Sequence, residues 1–119
     1  MTTSTELLRN TLLADGGVAA MVGTRVWVDL APERPTYPFV IVRRVANTPL
    51  RGLNGSLHAR LEQFHAESWG ASREQSQDLH DAVEAALVTA DLAPAEADPD
   101  GLDPEVGARA CVWVVDMWT

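Results

Sequence analysis

The sequence predicts a small α+β domain: a mainly antiparallel sheet of about four strands, with an N-terminal helix and one long helix packed on one face. Three observations predict it. An apolar strand pattern over residues 57–69 passes directly into an amphipathic helix over residues 71–90. Two further blocks rich in β-branched and aromatic residues, 39–46 and 109–118, read as strands. A T-x-x-E sequence near the start, Thr3 to Glu6, has the spacing of a helix capping box.

With 119 residues and 46% apolar residues, the chain can bury a core of its own, and we expect one domain spanning 1–119. No apolar run approaches the roughly 20 residues that span a bilayer, so no membrane association is expected. The first residues, Met1-Thr2-Thr3-Ser4-Thr5-Glu6, lack the basic start and apolar block of a secretory signal, which points to synthesis in the cytoplasm. Cys111 is the single cysteine and lies in an apolar strand pattern, the setting of a buried, inert thiol. The formal charge is −8, from seventeen acids against nine arginines and no lysine. Scattered arginines of this number form no phosphate-neutralising track, so sequence-specific nucleic-acid binding is not expected.

The elements follow in order. Behind the capping box, Leu7, Leu8, Thr11 and Leu12 line one side of the first helix. Asp15-Gly16-Gly17 is expected to break it, since paired glycines favour positive φ, and a short helical turn over 18–22 ends at Gly23. Residues 25–30 form a short strand with Val26 and Val28 on one face and Trp27 on the other. Three prolines stiffen the surface loop 31–38. The next strand begins Phe39-Val40-Ile41-Val42, apolar on both faces and therefore central. It turns polar from Arg43 onward, as an end that projects beyond the core would. Pro49, Gly52 and the Asn54-Gly55 pair make 48–56 the tip of a long hairpin. On the return strand, the apolar parity switches between Leu61 and Phe64, which predicts a bulge near Glu62-Gln63. Ser72-Arg73-Glu74-Gln75 caps the long helix, whose stripe is Leu79, Ala82, Val83, Ala86, Leu87 and Ala90. Residues 91–107 hold six acids, three prolines and no basic residue, and read as a flexible acidic loop. The last strand is apolar on both faces, so both need cover; a neighbouring subunit is an economical candidate for the second.

Several groupings imitate a reactive site without completing one. His65-Ala66-Glu67 has the H-x-E spacing of zinc deaminases, but the P-C-x-x-C partner is missing. Two residues apart on a strand, His65 and Glu67 share a face and read as a solvated polar pair. His80, beside Asp81 and Glu84, has no nucleophile in a strained turn to serve and reads as part of a solvated helix face. His58 has no ligand-like neighbour. In the run from Asp98 to Asp103 the glycine and the terminal acid miss the EF-hand offsets, so a turn is the better reading. The tryptophans Trp27, Trp69, Trp113 and Trp118 have no basic neighbours with which to bind bases, and read as core or interface residues. No catalytic residue, metal site or cofactor is expected.

The order of elements resembles a known family. A helix leads to Val22-Gly23-Thr24-Arg25-Val26, and a Pro-rich loop enters Tyr37-Pro38-Phe39-Val40-Ile41-Val42. A strand ending Glu67-Ser68-Trp69-Gly70 feeds the long helix, and a final strand carries Trp113. Together these resemble the tail-completion proteins of long-tailed bacteriophages, the tail terminator or tail-to-head joining family, over about residues 7–118. The acidic segment 91–105 departs from that pattern. The resemblance implies a structural virion protein at the tail-neck junction, made in the bacterial host cytoplasm. It implies self-association into a ring, usually a hexamer, on the phage tail tube protein. That ring stops tube growth, meets the head-tail connector protein and lets DNA pass through its centre. A sphere with the expected radius of gyration of about 13–14 Å would make such a ring wide enough for a duplex. The expected contacts to subunits or tube are Arg43, Arg44, Arg51 and Asn54 on the hairpin, with Trp113 and Trp118 on the last strand. Two rival readings are another neck or connector component, and a small ligand-binding or enzymatic α+β domain.

Overall fold

Local chemistry sets the first helix boundary. The Thr3 hydroxyl accepts from the Glu6 amide at 3.1 Å, and the Glu6 carboxylate accepts from the Thr3 amide at 3.4 Å, closing the capping box. Helix α1 (Ser4–Ala14) then runs to Asp15. The break differs from the expected one. Asp15 itself turns extended, and its carboxylate accepts from the Val18 amide at 3.0 Å, which makes it the N-cap of α2 (Gly16–Val22). Gly16 and Gly17 are thus the first turn of a new helix; a short polar side chain competing for free amides made the break. Gly23, with φ of 62°, ends α2.

The computed structural model describes residues 3–55, 57–103 and 108–118, and of residues 57, 58, 96–103, 108 and 109 the backbone alone. Beyond the two helices these residues form β1 (Val26–Val28), β2 (Phe39–Arg51), β3 (Leu57–Gly70), α3 (Arg73–Thr89), β4 (Ala95–Asp103) and β5 (Ala108–Trp118). The five strands make one sheet in the order β1-β2-β3-β5-β4. Only β1 pairs parallel, with β2; the other three ladders are antiparallel. The α+β architecture matches the expectation, with one strand more.

That extra strand corrects the reading of residues 91–107 as a flexible loop. Ala95–Asp103 pairs along β5 as an edge strand, from Ala95 opposite Val114 to Asp103 opposite Ala108, with an irregularity between Ala97 and Gly101. An acid-rich, Pro-containing segment scores poorly as a strand, yet an edge tolerates both, because half its backbone groups face solvent. The calcium-like run from Asp98 to Asp103 falls within β4, and its side chains, like that of His58, lie outside the described residues.

All three helices contribute to one core against a single sheet face. Leu8 and Leu12 from α1, Val18 and Val22 from α2, and Leu79, Val83 and Leu87 from α3 are fully buried there. They meet Val26, Val40, Val42, Phe64, Ala66, Trp113 and Val115 from the sheet. Each fully buried Val, Leu or Phe contributes about 1.5–3 kcal/mol relative to exposure. Two expectations change at this face. His80 is 5% exposed instead of solvated, because its ring stacks on Trp113 at 4.1 Å with planes 4° apart. Trp113 is 7% exposed and donates its indole N–H to the His80 carbonyl at 2.8 Å, so it is a core residue and not an interface residue.

The bulge also moves. On β3 the even positions Glu62, Phe64, Ala66, Ser68 and Gly70 all face the helices, and pairing with β5 is continuous from Leu61 to Gly70. The register with β2 shifts opposite Phe64 and Gln63, where the extra residue is Val45 of β2, and again where Leu50 and Arg51 face Ala59 and Leu57, with the extra residue on β3. Parity carries Glu62 into the core-facing row because Ser4 and Arg44 meet it there. The Ser4 hydroxyl donates to it at 2.8 Å, and the Arg44 guanidinium at 3.2 Å.

The chain passes from β3 into α3 at close quarters. A Cβ on Gly70 would stand 2.5 Å from the Ser76 amide nitrogen and 3.0 Å from the Gln75 carbonyl carbon. The Ser72 hydroxyl accepts from the Gln75 amide at 3.1 Å, and the Gln75 side chain accepts from the Ala71 amide at 2.8 Å.

Three outcomes are expected. Gly70→Ala forces backbone apart and should cost about 1–3 kcal/mol in urea denaturation; an unchanged midpoint would refute the close approach. Arg44→Ala leaves the Glu62 carboxylate nearly buried without its cation and should cost about 1–2 kcal/mol, more than Glu62→Gln, which keeps an acceptor. The reverse ranking would show that the ion pair contributes nothing. Cys111 is 4% exposed and should react with a thiol reagent only when denaturant unfolds the chain.

Candidate functional site

The two longest strands build a projecting arm. The first four residues of β2, Phe39 to Val42, are buried between the helices and a loop, whereas from Arg43 onward the strand is half-buried or exposed. The ladder continues past the helices to Arg51 opposite Leu57. As a result the molecule measures 51 × 29 × 24 Å. Gly52 and Gly55 close the tip, with the Gly55 amide donating to the Gly52 carbonyl at 3.0 Å and Gly55 at φ of 84°. Positive φ at that position is why the Asn-Gly pair signals a tight turn.

The structure separates the residues expected to make contacts. Arg43 and Arg44 hold the root of the arm. The Arg43 guanidinium donates to Glu67 at 3.2 Å on the helix-free face, and Glu67 also accepts the Trp69 indole N–H at 3.0 Å. Arg44 donates to Glu62 on the opposite face, as described above. Arg51 and Asn54 sit exposed at the tip, where the Arg51 guanidinium donates to the Gly55 carbonyl at 3.2 Å. Trp118 is 64% exposed at the end of β5, opposite Leu61. Trp113 lies inside the core.

Sequence reasoning missed two apolar features. The first is the tip itself, where Leu53 is fully exposed and Leu50 is 54% exposed. The signal was present, since an apolar residue between Gly52 and Asn54 serves no turn geometry. The second is a groove on the helix-free face. The Pro-rich loop does not merely lie on the surface; it folds over Phe39, Ile41 and Trp69 and leaves an open groove of about 370 Å³. Leu30, Pro32 and Tyr37 form its other wall. Aromatic contacts stiffen its floor, with Tyr37 and Phe39 centroids at 5.2 Å and Phe39 and Trp69 at 6.2 Å. The Arg25 guanidinium fixes the loop's end by donating to the Pro38 carbonyl at 3.0 Å. Residues from two distant segments make this wall, so no local spacing could announce it.

Reactive chemistry has no comparable site among the described residues. His65 and Glu67 share the helix-free face as expected, but Glu67 is engaged by Arg43 and Trp69. No group of three or more His, Cys, Asp or Glu among the described residues could hold a metal ion. No helix among them is long and apolar enough to cross a membrane. What the surface offers is an apolar, basic tip at one end and an apolar groove at the other.

Comparison with known proteins agrees with that character. No curated protein matches the chain. Among solved structures, a chain from the virion of a native gene transfer agent particle is similar in fold, with a TM-score of 0.64 and 21% identity. The match covers 92% of this chain and 88% of that one. The family model described as tail completion protein gp17 matches residues 6–116, nearly the entire length. The chain therefore belongs to the tail completion protein gp17 family.

Proposed function

We propose that the chain assembles as a ring, with six subunits, on the head-proximal end of a phage tail tube. The ring ends tube growth, offers its outer side to the head-tail connector and lets DNA pass through the centre without sequence-specific contact. Family membership over residues 6–116 is the observation that carries this reading, because it makes the chain a structural protein of a phage tail. In that role the protein works in the virion at the tail-neck junction, after synthesis in the host cytoplasm, and acts by shape instead of by chemistry.

The dimensions support a ring. Six bodies with a 29 Å width along the circumference and 24 Å along the radius would leave an opening of about 30 Å, by closed-ring geometry. That is wider than a duplex. An elongated subunit is better suited than the sphere assumed from length alone, since its long axis can stand along the ring axis or reach to a neighbour. The charge of −8 supports free passage of DNA, because an acidic wall supplies few phosphate contacts.

Added to growing tail tubes, the protein should stop elongation and leave a sixfold cap in negative-stain images. Tubes that lengthen unchecked, with no cap, would reject the reading. Deleting residues 50–56 should abolish capping while leaving the thermal unfolding midpoint within a few degrees, since the tip lies beyond the core. Normal capping by that variant would remove the arm from assembly.

A further inference from the structure

Residue 39 and residue 51 lie at opposite ends of β2, separated by twelve steps of about 3.3 Å, or about 40 Å. The groove floor is at the first end and the leucine-bearing tip at the second. A subunit therefore cannot fill its own groove with its own tip. We propose that the two features are halves of one contact between copies of this chain: the tip of one subunit, led by Leu53, seats in the groove of the next. This deepens the ring reading above and rests on it.

Three observations favour a second copy as the occupant. The first is shape. Leu53 projects from a tight turn with full exposure, and Leu50 stands half exposed behind it. The groove, at about 370 Å³, exceeds twice the ~150 Å³ cavity that admits a benzene molecule, so it has room for this pair. The second is charge. Residues 46–61 contain Arg51 and Arg60 and no acid, a formal +2. The remainder of a chain at −8 then carries −10; Arg34 lines the groove itself, and the flanking Asp29 and Glu33 bring residues 29–38 to a formal −1. A basic tip is thus attracted to an acidic body while bodies repel one another. The third is topology. Tip and groove are different patches, so their union is heterologous and leaves one of each free until a ring closes. The aromatic floor of Phe39 and Trp69 has the composition of an anchor pocket.

Paired cysteines test the contact directly, because Cys111 is buried and provides little background. With a short bismaleimide, the Leu53→Cys/Pro32→Cys double variant should give a covalent ladder. An equimolar mixture of the two single variants should give dimers only, and each single variant alone should give none. The reactions are run on concentrated protein and on protein bound to tail tubes, with wild-type particles imaged in parallel. Rings that form while tip and groove fail to crosslink would overturn the contact and leave the ring reading intact. So would tip-to-tip products from Leu53→Cys alone, or a product joining Leu53→Cys to the tube protein. A ladder of open chains without rings would support the contact and overturn the ring. As a second readout, Leu53→Asp should weaken self-association at least about tenfold without lowering the melting temperature; unchanged association would overturn the proposal.

Discussion

The antiparallel ladder between β2 and β3 is the constraint on which the rest of the molecule depends. It is longer than the helices that cover it. At one end, Val40, Val42, Phe64 and Ala66 are sealed beneath α1, α2 and α3. At the other, the same backbone pairing continues through β2 residues that are half-buried or exposed. Core and arm are therefore one mechanical element, and the ion pairs of Arg43 with Glu67 and Arg44 with Glu62 brace its two faces where cover ends. Rigidity at that point fixes where the tip stands relative to the body. A flexible loop of equal length would lose that placement and raise the entropy cost of any contact it made.

Sequence and structure agree where the cause is local. The capping box at Thr3, the N-cap at Ser72, the stripe on α3, the apolar start of β2 and the Asn54-Gly55 turn follow from neighbours a few residues away. Disagreement appears where distant segments decide. The acidic run became β4 because the outer edge of β5 was open to pair with it. Trp113 stacks on His80 and donates its indole N–H to the His80 carbonyl across 33 positions in the chain. Neither residue carries a local sign of that partnership. The bulge fell on β2 instead of β3 because Ser4 and Arg44 reward Glu62 for remaining in the buried row. The same division holds for the contact surface, where the arm was legible as polar strand and turn. The groove was not, since its floor and walls come from residues 30–41 and from Trp69.

Function follows from having two unlike ends. A molecule 51 Å long with distinct extremities has an inherent direction, which is what the proposed head-to-tail contact between copies would use. Two kinds of surface divide the labour on the sheet. One face is consumed by the helices and gives stability. The other is left with a proline-stiffened rim, aromatic flooring and polar bracing, a combination suited to receiving a partner without reorganising.

The placement of β4 has one more consequence. A sheet that ends openly invites strands of other molecules to zip onto it, which would turn a finite particle into fibres or amorphous precipitate. This margin is occupied by a segment with four acids and a proline among nine residues. Mutual repulsion and a missing amide make stacking of margin on margin unfavourable. Growth into endless polymer through this margin is thereby disfavoured.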